Sequence, residues 1–146
     1  MADWLVNNLG LSINDVAKAV RSGNELLLAE FDLSFLDFIV LINCYEGPEN
    51  TVTGIANHTD YDAGRISRAV EQLVRRGLIQ RQRLPDDRRV VELSLTDAGQ
   101  ALAPTVLGRV LGGNASLLEG VTYEERVVFA TVTRKIIANG AAMQSE

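Results

Sequence analysis

Between Ala63 and Leu95 a short cationic helix pattern runs directly into a pair of strand patterns, an order few folds accept. From Ala63 to Arg76 the apolar residues Ile66, Val70, Leu73 and Val74 recur at i, i+4, i+7 and i+8, while Arg65, Arg68, Gln72, Arg75 and Arg76 fall on other faces. One side of this helix can pack inward and the other offers cations. Gly77 stands just past its end, where a left-handed backbone favours glycine. Leu78–Leu84 and Val90–Leu95 read as strands, the second alternating Val91, Leu93 and Leu95 inward with Val90, Glu92 and Ser94 outward. Pro85-Asp86-Asp87 supplies turn chemistry, so the pair forms a hairpin with Arg88 and Arg89 at its tip.

The charge distribution singles out the same segment. Eight arginines (65, 68, 75, 76, 81, 83, 88, 89) lie among three acids (Glu71, Asp86, Asp87), a local balance of +5 in a chain of net charge −5, so everything else sums to −10. A basic segment in an acidic body suggests a face for phosphates on a remainder kept soluble by its own charge. A solvated charge face is the plainer alternative.

The rest of the chain reads as helical. Ile13, Val16, Ala17, Val20, Leu27 and Leu28 give a first helix over Leu11–Ala29, weakened at Gly23 and Asn24. Ser34 with Asp37 is a capping box opening a second helix through Phe38, Ile39, Leu41 and Ile42, ended by Gly47-Pro48. Thr53 can cap a short helix through Ile55, Ala56 and His58, and residues 59–62 supply turn and cap chemistry for the cationic helix. Thr96 caps a further helix through Leu102, Val106, Val110 and Leu111, with a kink or break expected at Gly112-Gly113. Thr122 with Glu125 is a second capping box, opening a last helix with Val127, Val128, Val132, Ile136 and Ile137. Val106, Val110, Leu111, Leu117, Leu118 and the last helix carry more apolar surface than one small winged unit can cover, which predicts a homodimer built from both chain ends.

Length and composition exclude several classes. A chain of 146 residues, 47% hydrophobic and 23% charged, is a single globular domain rather than a disordered, collagen-like or disulfide-stapled one. Its longest apolar run, Phe38–Ile42, is far short of the roughly 20 residues of a membrane-spanning helix. The opening residues do not read as a secretory signal, and a lone cysteine forms no internal disulfide, so a cytoplasmic location is expected. No phosphate-cradling glycine loop, nucleophile elbow or zinc-protease motif is present, so no catalytic residues, metal site or cofactor are expected.

Helix, turn, helix and hairpin in this order is the layout of a winged helix-turn-helix, whose second helix enters the DNA major groove. The expected fold is therefore mainly α with a small β-hairpin wing, and the expected partner is double-stranded DNA. Arg65 and Arg68 sit where a recognition helix meets base edges, and arginine pairs bidentately with guanine. Ser67 can bond bases or phosphate. Arg75 and Arg76, near the helix exit, suit phosphates, which fix register without reading sequence.

The chain resembles the MarR family of bacterial transcriptional regulators over most of its length. The resemblance is carried by Leu33-Ser34-Phe35-Leu36-Asp37-Phe38, by Ile55-Ala56, by Ile66-Ser67-Arg68-Ala69-Val70 with Leu73-Val74-Arg75-Arg76-Gly77-Leu78-Ile79, by Asp86-Asp87-Arg88-Arg89 and by Leu95-Thr96-Asp97-Ala98-Gly99. It implies one MarR-like domain over 1–146, with a winged helix-turn-helix at 34–95 and dimerisation helices at 1–30 and 97–146. It also implies a homodimer gripping a pseudo-palindromic site, usually a repressor released by a small ligand. Ala63, Gly64, Arg65, Ser67 and Arg68 would face the major groove, joined in the DNA-binding set by Gln72 and Arg75, while Arg88 would enter the minor groove. Arg89 would pair with Asp62, holding wing and helix together. Two positions depart from the family pattern: Gly54 replaces a helix-forming acid and Thr59 replaces an apolar core plug.

Three further features have two readings each. Cys44 is either a packed, inert thiol or the switch of a redox-responsive regulator. His58, the sole histidine, reads as an exposed helix position rather than a ligand. Trp4, Phe31, Phe35 and Phe38 are core residues or the lining of a pocket for a small aromatic or phenolic effector. The competing functional class is a winged-helix protein-interaction module without DNA binding.

Overall fold

A computed structural model describes residues 8–83 and 90–143. In chain order the elements are α1 (Leu9–Leu28), a 3-10 turn (Ala29–Phe31), α2 (Phe35–Glu46), α3 (Val52–Asn57), α4 (Ala63–Arg75), β1 (Ile79–Arg83), β2 (Val91–Leu95), α5 (Asp97–Leu117) and α6 (Tyr123–Met143). The fold is the expected one, mainly helical with a two-stranded antiparallel hairpin. Two compact units divide it, the first ending at Asn114 and the second beginning at Ala115. No helix among the described residues is long and apolar enough to cross a membrane.

Local chemistry sets most boundaries. Ser34 caps α2 with both arms of the capping box: its hydroxyl oxygen accepts the Asp37 N–H at 3.1 Å, and the Asp37 carboxylate accepts the Ser34 N–H at 2.9 Å. Thr122 and Glu125 repeat the arrangement at the start of α6. Gly77 ends the cationic helix with φ +68°, a conformation costly for a side chain. The short helix departs from expectation: Thr51, not Thr53, is its cap, accepting the Gly54 N–H at 3.0 Å, and Thr53 lies exposed within the first turn. Thr59, in place of an apolar plug, donates its hydroxyl to the Ile55 carbonyl at 3.0 Å and accepts the Tyr61 N–H. Tyr61 is itself buried in the core, 8% exposed.

The core of the first unit lies between α2, α4 and the base of the hairpin. Leu28, Val40, Leu41, Ile55, Ile66, Val70, Leu73 and Val106 are wholly buried. Each such side chain stabilises the fold by about 1.5–3 kcal/mol relative to exposure. Residues Ile79 to Arg83 pair with Leu95 to Val91, and the Leu93 N–H donates to the Asn50 carbonyl at 2.7 Å, tying the hairpin to the chain that leads into α3. At the start of α5, Thr96 caps the helix by accepting the Gly99 N–H. A Cβ at Gly99 would sit 2.0 Å from the Leu78 carbonyl oxygen. That close approach explains the glycine.

Three expectations are corrected here. Val74 is 37% exposed and Ala69 takes the inward place, because the buried stripe runs Ile66, Ala69, Val70, Leu73. Val106 and Val110 are already buried within the single chain, so they are not surface for a partner. α5 continues through Gly112-Gly113 without a break, and a Cβ at Gly113 would meet the Leu27 side chain. The single long first helix is as expected, continuous through Gly23 and Asn24, with Asn24 buried.

Candidate nucleic-acid interface

α4 owes its placement to its two faces. Ile66, Ala69, Val70 and Leu73 anchor it in the core, which leaves Arg65, Arg68, Gln72 and Arg75 exposed along the outside. Ser67 is half-buried between these faces, and Ala63 and Gly64 are exposed at the N-terminal end. Most of the expected DNA-binding set is therefore brought together on one exposed helix. Arg88 lies outside the described residues, as do Arg89 and its expected pairing with Asp62.

Asp62 is the cap of this helix. Its backbone is extended (φ −68°, ψ 156°) and its carboxylate accepts the Arg65 N–H at 2.9 Å. That backbone hydrogen bond, chiefly, holds its carboxyl below the usual carboxylate range.

The arginines differ in how committed they are. Arg68 lays its Nε–H toward the Gly64 carbonyl at 3.4 Å and has no carboxylate within ion-pair distance among the described residues. Arg76, expected at phosphates, is already engaged within the fold: its guanidinium donates to the Phe31 carbonyl at 2.9 Å and to the Asp32 carbonyl. On β1, Arg81 and Arg83 are exposed, with only Ile79 turned inward. A shallow groove of about 200 Å³ runs between the first turn of α2 and α4, lined by Ser34, Leu36, Asp37, Arg65, Arg68, Ala69 and Gln72.

One basic residue escaped the sequence reading. Arg21 of α1 places its guanidinium 5.6 Å from the Phe35 ring centroid and 5.7 Å from that of Tyr61. The Arg65 guanidinium lies over the same Tyr61 ring at 4.6 Å. A single arginine in an acidic stretch, 44 positions from its neighbour, gives no sequence signal.

The remaining candidates resolve simply. Burial pushes the Cys44 thiol up to about 11, so it is protonated at neutral pH and a poor nucleophile. His58 is exposed at the C-cap of α3, its Nδ1 3.2 Å from the Gly54 carbonyl. No group of three or more His, Cys, Asp or Glu side chains able to hold a metal occurs among the described residues. Phe31, Phe35 and Phe38 are half-buried against the core, with the Phe35 and Phe38 rings 6.2 Å apart. None of the three lines the groove above, and Trp4 lies outside the described residues.

Comparison with known proteins agrees with this geometry. Residues 31–90 match the model of the MarR family. The chain is 36% identical over 76 residues to YdcH of Bacillus subtilis, an uncharacterized HTH-type transcriptional regulator, a match covering 49% of this chain and 52% of the relative. The chain thus spans about half the length of the first curated relatives it matches. Among solved structures, the transcriptional regulator SlyA superposes with TM-score 0.81 at 21% identity, covering 92% of this chain and 95% of SlyA. A Listeria monocytogenes protein assigned to the MarR family, complexed with 26mer DNA, superposes with TM-score 0.78 at 25% identity, covering 88% and 85%. The fold is that of MarR winged-helix regulators.

Proposed function

From a chain whose residues 31–90 match the MarR family model, we propose a sequence-specific DNA-binding transcriptional regulator, acting as a homodimeric repressor of a pseudo-palindromic operator. The observation that carries this reading is the exposure of Arg65, Arg68 and Arg75 on a helix whose opposite face is sealed in the core. Exposed cations on a fixed cylinder are well solvated in water, and their gain on meeting a polyanion comes from the counterions that the polyanion releases. Arg65, Arg68 and Ser67 read base edges, with Ala63 and Gly64 letting the helix end approach closely. Gln72 and Arg75 meet backbone, and Arg88 and Arg89 extend the grip from the wing.

The homodimer is supported by apolar side chains left exposed within each unit. In the first, Leu9, Leu11, Ile13 and Val16 of α1 are each more than two-fifths exposed; in the second, Val128, Phe129 and Ile137 of α6 are more than half exposed. Sedimentation as a monomer at micromolar concentration would remove this part. Release by a small aromatic or phenolic effector completes the proposal, with Phe31, Phe35 and Phe38 as its aromatic contacts. A cytoplasmic location follows from such a role.

The decisive experiment titrates the protein against duplex DNA from upstream of its own gene at several salt concentrations. Affinity should fall steeply with salt, with a log–log slope of about −0.9 per phosphate contacted. Salt-independent or absent binding would overturn the reading in favour of a protein-interaction module.

A further inference from the structure

We propose that Arg21, on the first helix and outside the winged segment, is an additional DNA-phosphate ligand that works beside Arg65; this rests on the DNA-binding reading above. Two observations meet at this point of the fold. The Arg21 guanidinium is held against Phe35, the first residue of α2, and against Tyr61, which immediately precedes the cap of the recognition helix. The Arg65 guanidinium occupies the same Tyr61 ring. Neither arginine has a carboxylate within ion-pair distance among the described residues.

Two cations gathered on one tyrosine repel each other; the Asp62 carboxylate acts electrostatically on Arg65, and neither guanidinium is neutralised by an ion pair among the described residues. A cation–π contact with an aromatic ring limits where the guanidinium lies but uses none of its five N–H donors. Arg21 makes no side-chain hydrogen bond among the described residues, so its donor edge stays available for a planar, bidentate acceptor such as a phosphate. Its place beside the N-terminal end of α4, on a different helix, suits the backbone flanking the bases that Arg65 would reach. The tyrosine serves as a common platform that sets the spacing of a base-reading arginine and a phosphate-holding one. The first helix would then take part directly in DNA binding as well as in dimerisation.

The test measures binding of the full-length protein to its upstream duplex and to a random-sequence duplex of equal length, by fluorescence anisotropy across a salt series. Arg21→Gln should weaken binding several-fold and by the same factor on both duplexes, and should reduce the magnitude of the salt slope by about 0.9. Arg21→Lys, which keeps the charge but not the plane, should retain the wild-type slope. An unchanged slope and affinity in Arg21→Gln, with the wild type binding in a salt-dependent way, overturns the assignment of Arg21 alone. Equal losses in the Lys and Gln variants would show that stacking, not phosphate contact, is the role, and would also overturn it. A wild type without salt-dependent affinity for either duplex overturns the DNA reading and this inference together. Should Arg21→Gln melt below the assay temperature, the Lys variant still decides: a reduced slope there contradicts the proposal.

Discussion

The Arg76 guanidinium donates to the Phe31 carbonyl at 2.9 Å, tying the end of α4 to a turn 45 residues earlier in the chain. It also donates to the carbonyl of Asp32, whose backbone is left-handed (φ 54°). Arg75 and Arg76 look equivalent in sequence, yet one is free on the surface and the other is a latch. Arg76→Ala should therefore lower stability by about 1.5–3 kcal/mol, as for hydrogen bonds to a charged group. Urea unfolding measures this, and the salt slope of DNA binding should not change.

Gly99 permits the start of α5 to lie against the start of β1. In Gly99→Ala the new methyl meets the Leu78 carbonyl oxygen, which also accepts the Thr96 N–H at 3.1 Å. The backbone must shift, and a loss of about 1–3 kcal/mol is expected on thermal or urea unfolding. A neutral outcome would show that the contact relaxes freely.

What the sequence disclosed and what it hid divide by distance along the chain. The caps at Ser34, Asp62 and Thr122 and the left-handed Gly77 involve neighbours within four residues, so residue type and spacing sufficed to find them. Thr51 and Thr53 could both cap α3, and only the path of the preceding loop selects the first. The Arg76 latch, the burial of Val106 and Val110, the meeting of Gly113 with Leu27 and the convergence of Arg21 on Tyr61 all depend on partners far away in sequence. Periodicity reports that a face is apolar; it does not report which element covers it.

Cys44 tests whether oxidation regulates this protein. Its thiol, raised to about 11 by burial, leaves little thiolate at neutral pH. Iodoacetamide should modify it much more slowly in the folded protein than in the urea-unfolded chain, read by mass spectrometry. Equal rates would return the redox reading to consideration.

Asp62 gives a pH signature to α4. Its carboxyl is held below the ordinary value in the folded state, mainly by the Arg65 N–H. The ionised cap therefore adds stability above the unfolded carboxylate pKa of about 3.9, and this is lost as pH falls through the lowered folded value. Asp62→Asn keeps a capping oxygen without the charge. Its melting temperature should lie below wild type at neutral pH, and the gap should close in acid.

The central claim is that the outward arginines of α4 read duplex DNA. The most direct measurement compares wild type and Arg68→Ala on the upstream site and on variants of it changed one base pair at a time. The account predicts a loss of about 1–3 kcal/mol for Arg68→Ala on the intact site, together with relaxed discrimination at a single base pair. Wild-type affinity for the intact site in Arg68→Ala, with every base preference unchanged, would contradict it.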